Sequence, residues 1–246
     1  MFDLSYKYKR PTTLFGTQNA KTIKGEKLGY TTFIMYMSPE KQNTSGKNLC
    51  AHASEGCKAA CLFTAGRGAF SNVMTGRLNK TEYFLREKAL FLEQVYNEVA
   101  KGYKKHGKAL AVRLNGTSDI PYENIPVGGF ENIMAMFPDV QFYDYTKIFN
   151  RLTKQLPSNY HLTFSRAETA TNQKEAQQAI DLGFNVAAVF KVKDETELPE
   201  TYMNAKVING DEHDLTFLHG NGVIVGLKAK GEAKKDTTGF VIGGCN

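Results

Sequence analysis

Tryptophan is missing from this chain, histidine is scarce with five copies, and no apolar run approaches the ~18 residues a membrane span requires. The last absence argues against a helical membrane protein, and residues 1–9 are too polar to expect a secretory signal. The expected setting is therefore a reducing cytosol, where cysteines point to metal or redox chemistry before disulfides. Low-complexity stretches and Gly/Ser linkers are also lacking, so the 246 residues read as one domain, an arm over 1–29 and a body over 30–246. Charge of one sign is in modest excess: 31 Lys and Arg against 25 Asp and Glu leave +6, spread along the chain. That balance supports a nucleic-acid partner only weakly, and the densest basic runs, 101–108 and 228–235, read as solvated surface.

Cysteine is present in only four copies, but three of them crowd together as Cys50-x6-Cys57-x3-Cys61, with Cys245 far along the chain. Thiolate sulfur is a soft ligand that selects zinc or iron–sulfur clusters. If residues 56–62 form a helical turn, Cys57 and Cys61 share a face and Cys50 arrives from the preceding loop. Structural zinc sites usually pair two Cys-x2-4-Cys units, or one such unit with two histidines. The second pair is missing here, and His52, His213 and His219 have no zinc-finger spacing. A four-iron, four-sulfur cluster on Cys50, Cys57 and Cys61 is the preferred reading, with Cys245 as a fourth ligand because Gly243-Gly244 would let the tail fold back. Zinc is the alternative.

Apolar and β-branched runs predict strands over 31–37, 109–114, 140–145, 160–164, 186–190, 205–208 and 223–227. Helical spacing covers 71–103, 131–137 and 172–182. About seven strands alternating with helices imply an α/β fold with a parallel sheet. A partial or closed (β/α) barrel with an N-terminal arm is the first expectation and a doubly wound sheet the second.

Function in such folds gathers at the carboxyl ends of the strands, where polar residues are dense. The expected rim is Arg113, Asn115, Asp119, Asp144, Lys147, Ser165, Glu168, Lys191, Asn209, Asp211 and Lys228. Within it, Asn115, Asp119, Lys147, Ser165 and Lys228 are the candidates for holding a small-molecule or nucleotide ligand. Arg67 joins them, because the glycines at 66 and 68 open a helix and Arg67 would add a charge-assisted contact to phosphate or carboxylate. The blander reading is that loops are polar and that Asp119, Asp194 and Asp214 cap helices or turns. A metal-free hydrolase using Asp119, Glu123 and Asp144 would leave the cysteine triplet unexplained.

The motifs themselves resemble one family. Lys21-Thr-Ile-Lys-Gly-Glu-Lys-Leu-Gly29, Gly56-Cys-Lys-Ala-Ala-Cys-Leu62 with Ala65-Gly-Arg-Gly68, Arg113-Leu-Asn-Gly-Thr-Ser-Asp-Ile-Pro121, Tyr143-Asp-Tyr-Thr-Lys147 and Asp236-Thr-Thr-Gly-Phe240 resemble the bacteriophage gene product 88 family over nearly the whole chain. This resemblance implies a phage origin and a place in the host cytoplasm; it supplies no reaction. More distantly, the order of elements is similar to radical S-adenosylmethionine enzymes, whose partial barrel carries a three-cysteine loop after its first strand. That likeness implies S-adenosylmethionine as a further cofactor and places Asn115-Gly116 where such enzymes contact it. The spacing departs from theirs, which is commonly Cys-x3-Cys-x2-Cys. The leading expectation is thus an iron–sulfur protein on a radical-enzyme-like barrel, its catalysis left open. The competing one is a zinc-stabilised, nucleic-acid-associated phage protein without catalytic activity.

Overall fold

Runs rich in Val, Ile, Phe and Tyr form the strands, and glycine-ended amphipathic runs form the helices between them. The computed structural model describes residues 5–17, 20–61, 63 and 66–243. In chain order the elements are β1 (Phe15–Gly16), α1 (Ala20–Glu26), β2 (Thr31–Met35), α2 (Glu55–Ala59), α3 (Ser71–Arg86), α4 (Lys88–His106), β3 (Leu110–Arg113), α5 (Ile133–Met136) and β4 (Gln141–Thr146). Then come α6 (Phe149–Leu152), β5 (Tyr160–Ser165), α7 (Ala170–Asp181), β6 (Val186–Phe190), β7 (Thr201–Tyr202), β8 (Ala205–Asn209), β9 (Ile224–Lys228) and β10 (Val241–Ile242).

All ten strands join one sheet in the order β1-β2-β3-β4-β5-β6-β9-β8-β7, with β10 pairing β6. The long central run from β2 to β8 is parallel, and only the short β1 and β7 run antiparallel to their neighbours. Residues 186–187 of β6 pair with β5 and residues 189–190 with β10, both on the edge opposite β9. The seven expected strands are these seven parallel ones. Their order differs from chain order in one place, since β9 inserts between β6 and β8.

Side chains alternate across the sheet, because the pleat turns successive residues to opposite faces. Val112, Phe142, Leu162, Phe164, Ala188 and Phe190 pack outward against Phe91, Val95 and Val99 of α4 and Ala176 and Ala179 of α7, forming the main core. The opposite face carries Ala111, Tyr143 and Leu215, with Tyr30 and Phe217 against them. Among the described residues, no hydrogen-bonded strand pair closes the sheet into a cylinder. Instead the segment after β8 comes back over this inner face. Asp214 accepts from Arg113 of β3, and the Phe217 ring lies 5.1 Å from Tyr30 and 5.5 Å from Tyr143.

One expected element is corrected. The helix over 71–103 is two helices, broken at Glu87, whose backbone leaves the helical region at φ −133° and ψ 51°. Glu87 is held from outside, since its carboxylate accepts from Tyr8 and Arg10 of the arm. The Phe91 ring then packs edge-on to both Tyr83 and Phe84 across the break.

Candidate functional site

The three clustered cysteines lie in the connection from β2 to α3, beyond the carboxyl end of the first parallel strand. Cys50 is positioned by its backbone N–H, which donates to Asn48 Oδ1 at 2.8 Å, and its sulfur lies 3.6 Å from the Thr117 carbonyl beyond β3. The Asp119 N–H donates to the Leu49 carbonyl at 2.8 Å, so the loops after β2 and β3 are stitched together beside it. Cys57 sits on α2, whose N-cap Ser54 accepts from the Cys57 N–H at 3.2 Å. Glu168, beyond β5, locks this short helix in place by accepting from Ser54 Oγ at 2.6 Å and from the Gly56 N–H at 2.9 Å. Burial works to raise the Glu168 pKa, but those bonds, together with its own backbone N–H and the Lys147 charge, outweigh it and hold the carboxyl below its usual range. Position 56 has to be glycine: a Cβ there would stand 2.2 Å from Thr238 Oγ1, 2.7 Å from Phe240 Cβ and 2.9 Å from Glu168 Cδ.

Cys50, Cys57 and Cys61 are each half-buried, and none is joined to another by a disulfide. Burial pushes the Cys50 thiol up to about 12, and the neighbouring Cys61, Asp119 and Cys57 push the same way. Cys61 is raised as well, first by burial and then by Cys57, while Arg77 and Lys147 oppose the shift. The three sulfurs therefore lie within electrostatic reach of one another, and two cations look onto Cys61. Among the described residues, no three His, Cys, Asp or Glu side chains are gathered as a set that could hold a metal ion. Cys245, the expected fourth ligand, lies outside the described residues.

The two cations have unusual surroundings. The Arg77 guanidinium lies between two rings, 5.3 Å from the centre of Tyr36 and 5.1 Å from that of Phe63, and donates to the Phe63 carbonyl at 3.0 Å. Its Nε is buried without a hydrogen-bond partner, and burial draws its pKa below the usual value. Lys147 is 8% exposed; its ammonium donates to Ser165 Oγ at 2.6 Å and lies 5.4 Å from the Phe240 ring. Neither forms a salt bridge to a carboxylate among the described residues. Half-buried Arg77 and buried Lys147 thus bring positive charge to Cys61, and the Lys147 charge also reaches the Glu168 carboxylate. Arg77 was not among the expected residues. Its signal was a charge at 77 on the helix face that buries Thr81 and Phe84.

The other expected residues divide. Lys147 and Ser165 meet at the carboxyl edge, on the thiol side. Asn115 and Asp119 are occupied by the fold. The Asn115 N–H and Nδ2 donate to Asp144 at 2.7 and 3.0 Å, and its Oδ1 accepts from Ser118 Oγ and the Ile120 N–H, both at 2.8 Å. Asp119 accepts from the Lys147 N–H at 2.8 Å and pairs with Arg151, whose other donors reach Glu123 at 2.8 Å. Asp144 is fully buried on the helix-covered side, where burial pushes its carboxyl up to about 6 and Tyr160 donates to it at 2.9 Å. These carboxylates hold Arg151 and the loop after β3; Asp119 ties β4 to that loop and caps no helix, since α6 starts after Ile148 without a side-chain cap. Gly116 likewise serves packing, for a Cβ there would stand 2.7 Å from both the Met35 carbonyl and the Tyr36 ring.

Lys228 is away from the cysteines. It stands opposite Phe190 in the register, on the outer face, with its N–H donating to Asp211 at 2.9 Å. Arg113 points to the inner face, not to an open rim, and ends on Asp214. Residues 66–69, including Arg67, form a single 3-10 turn before α3, and the Arg67 side chain lies outside what is described.

A family profile described as gene product 88 matches residues 13–244. No curated protein and no solved structure matches the chain. No helix among the described residues is long and apolar enough to cross a membrane.

Proposed function

The chain belongs to the bacteriophage gene product 88 family, and from that premise we propose that it carries a thiolate-held iron–sulfur centre, in the host cytoplasm, at the carboxyl edge of its parallel sheet. Cys50, Cys57 and Cys61 would hold a four-iron, four-sulfur cluster, with Cys245 the candidate for the fourth position. Lys147 and Ser165, at the same edge, would face a small-molecule or nucleotide ligand presented to it.

The observation that carries this reading is charge. Three sulfurs share one electrostatic neighbourhood, and two cations, half-buried Arg77 and buried Lys147, act on Cys61 without a salt bridge of their own among the described residues. Protonated thiols would bring no charge to Arg77 and Lys147, and a half-buried cation without an ion pair is held at a cost. As cluster ligands the cysteines are thiolates and supply the missing negative charge. A thiol raised to about 12 gives up its proton only to a strongly binding soft metal, so loading would release protons and tighten as pH rises. The likeness to radical S-adenosylmethionine enzymes rests on the order of elements, a cysteine loop after the first parallel strand, and a reaction is not part of the proposal.

The test is anaerobic purification with iron, sulfide and zinc analysis and a visible spectrum, on the native chain, Cys57→Ala and Cys245→Ala. A brown native protein that turns colourless in Cys57→Ala is the expected result, and loss of colour in Cys245→Ala would identify the fourth ligand. One zinc per chain without iron would replace the cluster by the structural-zinc reading. A folded native protein with neither metal would remove the proposal.

A further inference from the structure

Part of the cover over the cysteine helix α2 comes from outside the sheet. Between β9 and β10, residues 231–235 form a 3-10 turn and residues 236–239 a loop. Ala233 packs in one small cluster with Ala60, Phe240 and half-buried Cys57, and Thr238 stands against Gly56. We propose that residues 231–239 are a lid that swings about Gly231 and Gly239 and gates the access of soft metal ions and thiol reagents to Cys57.

Three features make the segment separable from the body. Both of its ends are glycines in the left-handed region, at φ 56° for Gly231 and 91° for Gly239, where a residue without a Cβ can absorb a backbone rotation. Of its nine residues only Ala233 is buried. Its hydrogen bonds turn inward as well: among the described residues, those of 231–238 end within 230–241. Asp236 organises them, accepting from the Thr238 hydroxyl at 2.7 Å, the Gly239 N–H at 3.2 Å and the Val241 N–H at 2.9 Å. The segment therefore keeps its own shape with few ties to its surroundings, which is the character of a unit that opens locally while the sheet stays folded.

The firm anchors lie just outside the hinges. Lys230 pairs with Asp211 at 2.5 Å on one side. On the other, buried Arg166 donates to the carbonyls of Gly239 and Phe240 at 2.6 and 2.8 Å, and β10 pairs with β6. Between lid and helix the seam is incompletely filled. An open groove of about 210 Å³ runs along it, with Ala59 and Ala60 on one wall and Glu232, Asp236 and Thr238 on the other. Swinging the lid away thus breaks few contacts, chiefly those of Ala233 and Thr238, and uncovers the face of α2 that carries Cys57.

The lid is independent of what the thiols hold, so its test is run on the full chain stripped of metal by a chelator under reducing conditions. Iodoacetamide alkylation is followed by mass spectrometry at Cys57, with Cys50, which is not packed with the lid, as the internal reference. The chains compared are the native one, Asp236→Ala, Thr238→Val and Asp194→Ala. Asp194 supplies a similar bond to another 3-10 turn, accepting from the Thr196 N–H at 3.0 Å, and serves as the control. Asp236→Ala should speed modification of Cys57 about tenfold, the effect of 1.4 kcal/mol on an opening equilibrium, with Cys50 and the control unchanged. Thr238→Val removes a single hydroxyl and should give about fivefold, which keeps the test standing should Asp236→Ala fail to fold. Unchanged Cys57 rates in the folded lid variants, equal acceleration at Cys50 and Cys57, or equal acceleration by Asp194→Ala would each overturn the proposal.

Discussion

Replacing Asp214 with asparagine removes the carboxylate that Arg113 pairs with on the inner face of the sheet. The Asp214 carboxylate accepts from Arg113 Nη1 at 3.1 and 2.9 Å and from the Tyr143 hydroxyl at 3.1 Å, and the paired side chains are only 13% and 4% exposed. Burial works to lower the Arg113 pKa, but Asp214 and the surrounding tyrosines overcome it and keep the guanidinium charged. Its Nε already lacks a hydrogen-bond partner, so the asparagine variant would strand a cation with little to replace the lost charge. Breaking one side of such a buried pair costs about 3–5 kcal/mol, a large part of the roughly 5–15 kcal/mol that holds a typical domain folded. Tyr143→Phe, which removes one neutral donor to a charged acceptor, should cost about 1.5 kcal/mol. For a chain of this length the larger loss lowers Tm by roughly 10 °C. Urea unfolding of the native chain, Asp214→Asn, Tyr143→Phe and the double variant Arg113→Met/Asp214→Leu measures all four. The double variant should recover much of the loss, because two apolar side chains leave no charge buried. Proteolysis should at the same time become faster within residues 210–220, the segment that Asp214 ties to β3 and β4. A change below about 0.5 kcal/mol in Asp214→Asn would mean that this pair does not hold the segment down, and the reasoning would fail.

Gly56→Ala should lift α2 from its seat against Thr238, Phe240 and Glu168 and cost at least about 1–3 kcal/mol; faster alkylation of Cys57 is the accompanying sign, and unchanged stability and alkylation would refute it. His161, on the inner face of β5 and largely buried, is held down at about 4 by burial, below the 6.5 of a free histidine. Its protonation therefore favours the unfolded chain: stability is full above pH 6.5 and falls as pH drops from 6.5 towards 4, by roughly 2–3 kcal/mol at about pH 4.5. His161→Phe should remove that part of the acid loss, and identical pH profiles for variant and native chain would contradict it. Metal analysis of the cysteine variants completes the set.

Much of the fold is legible in the chain because strand and helix periods are local. The run 186–190 is the strand β6, and the other six parallel strands fall within two residues of their expected ends. The break at Glu87 was not legible, since the residues that hold Glu87 are Tyr8 and Arg10, nearly eighty positions away. Polar residues at strand ends looked alike in sequence, yet the pleat separates them. Lys147 and Ser165 face the thiol side, Asp144 and Lys228 face the helices, and Arg113 reaches across to Asp214. Sequence alone determined the family, the alternation of strands with helices and the crowding of Cys50, Cys57 and Cys61, all of which rest on neighbours along the chain. Tertiary structure alone decided that Glu168 clamps the cysteine helix, that Arg77 and Lys147 look onto Cys61, and that Asn115 and Asp119 are tied up in the loop after β3. Those outcomes depend on which strands lie side by side and which face each residue takes, and both are set by long-range packing.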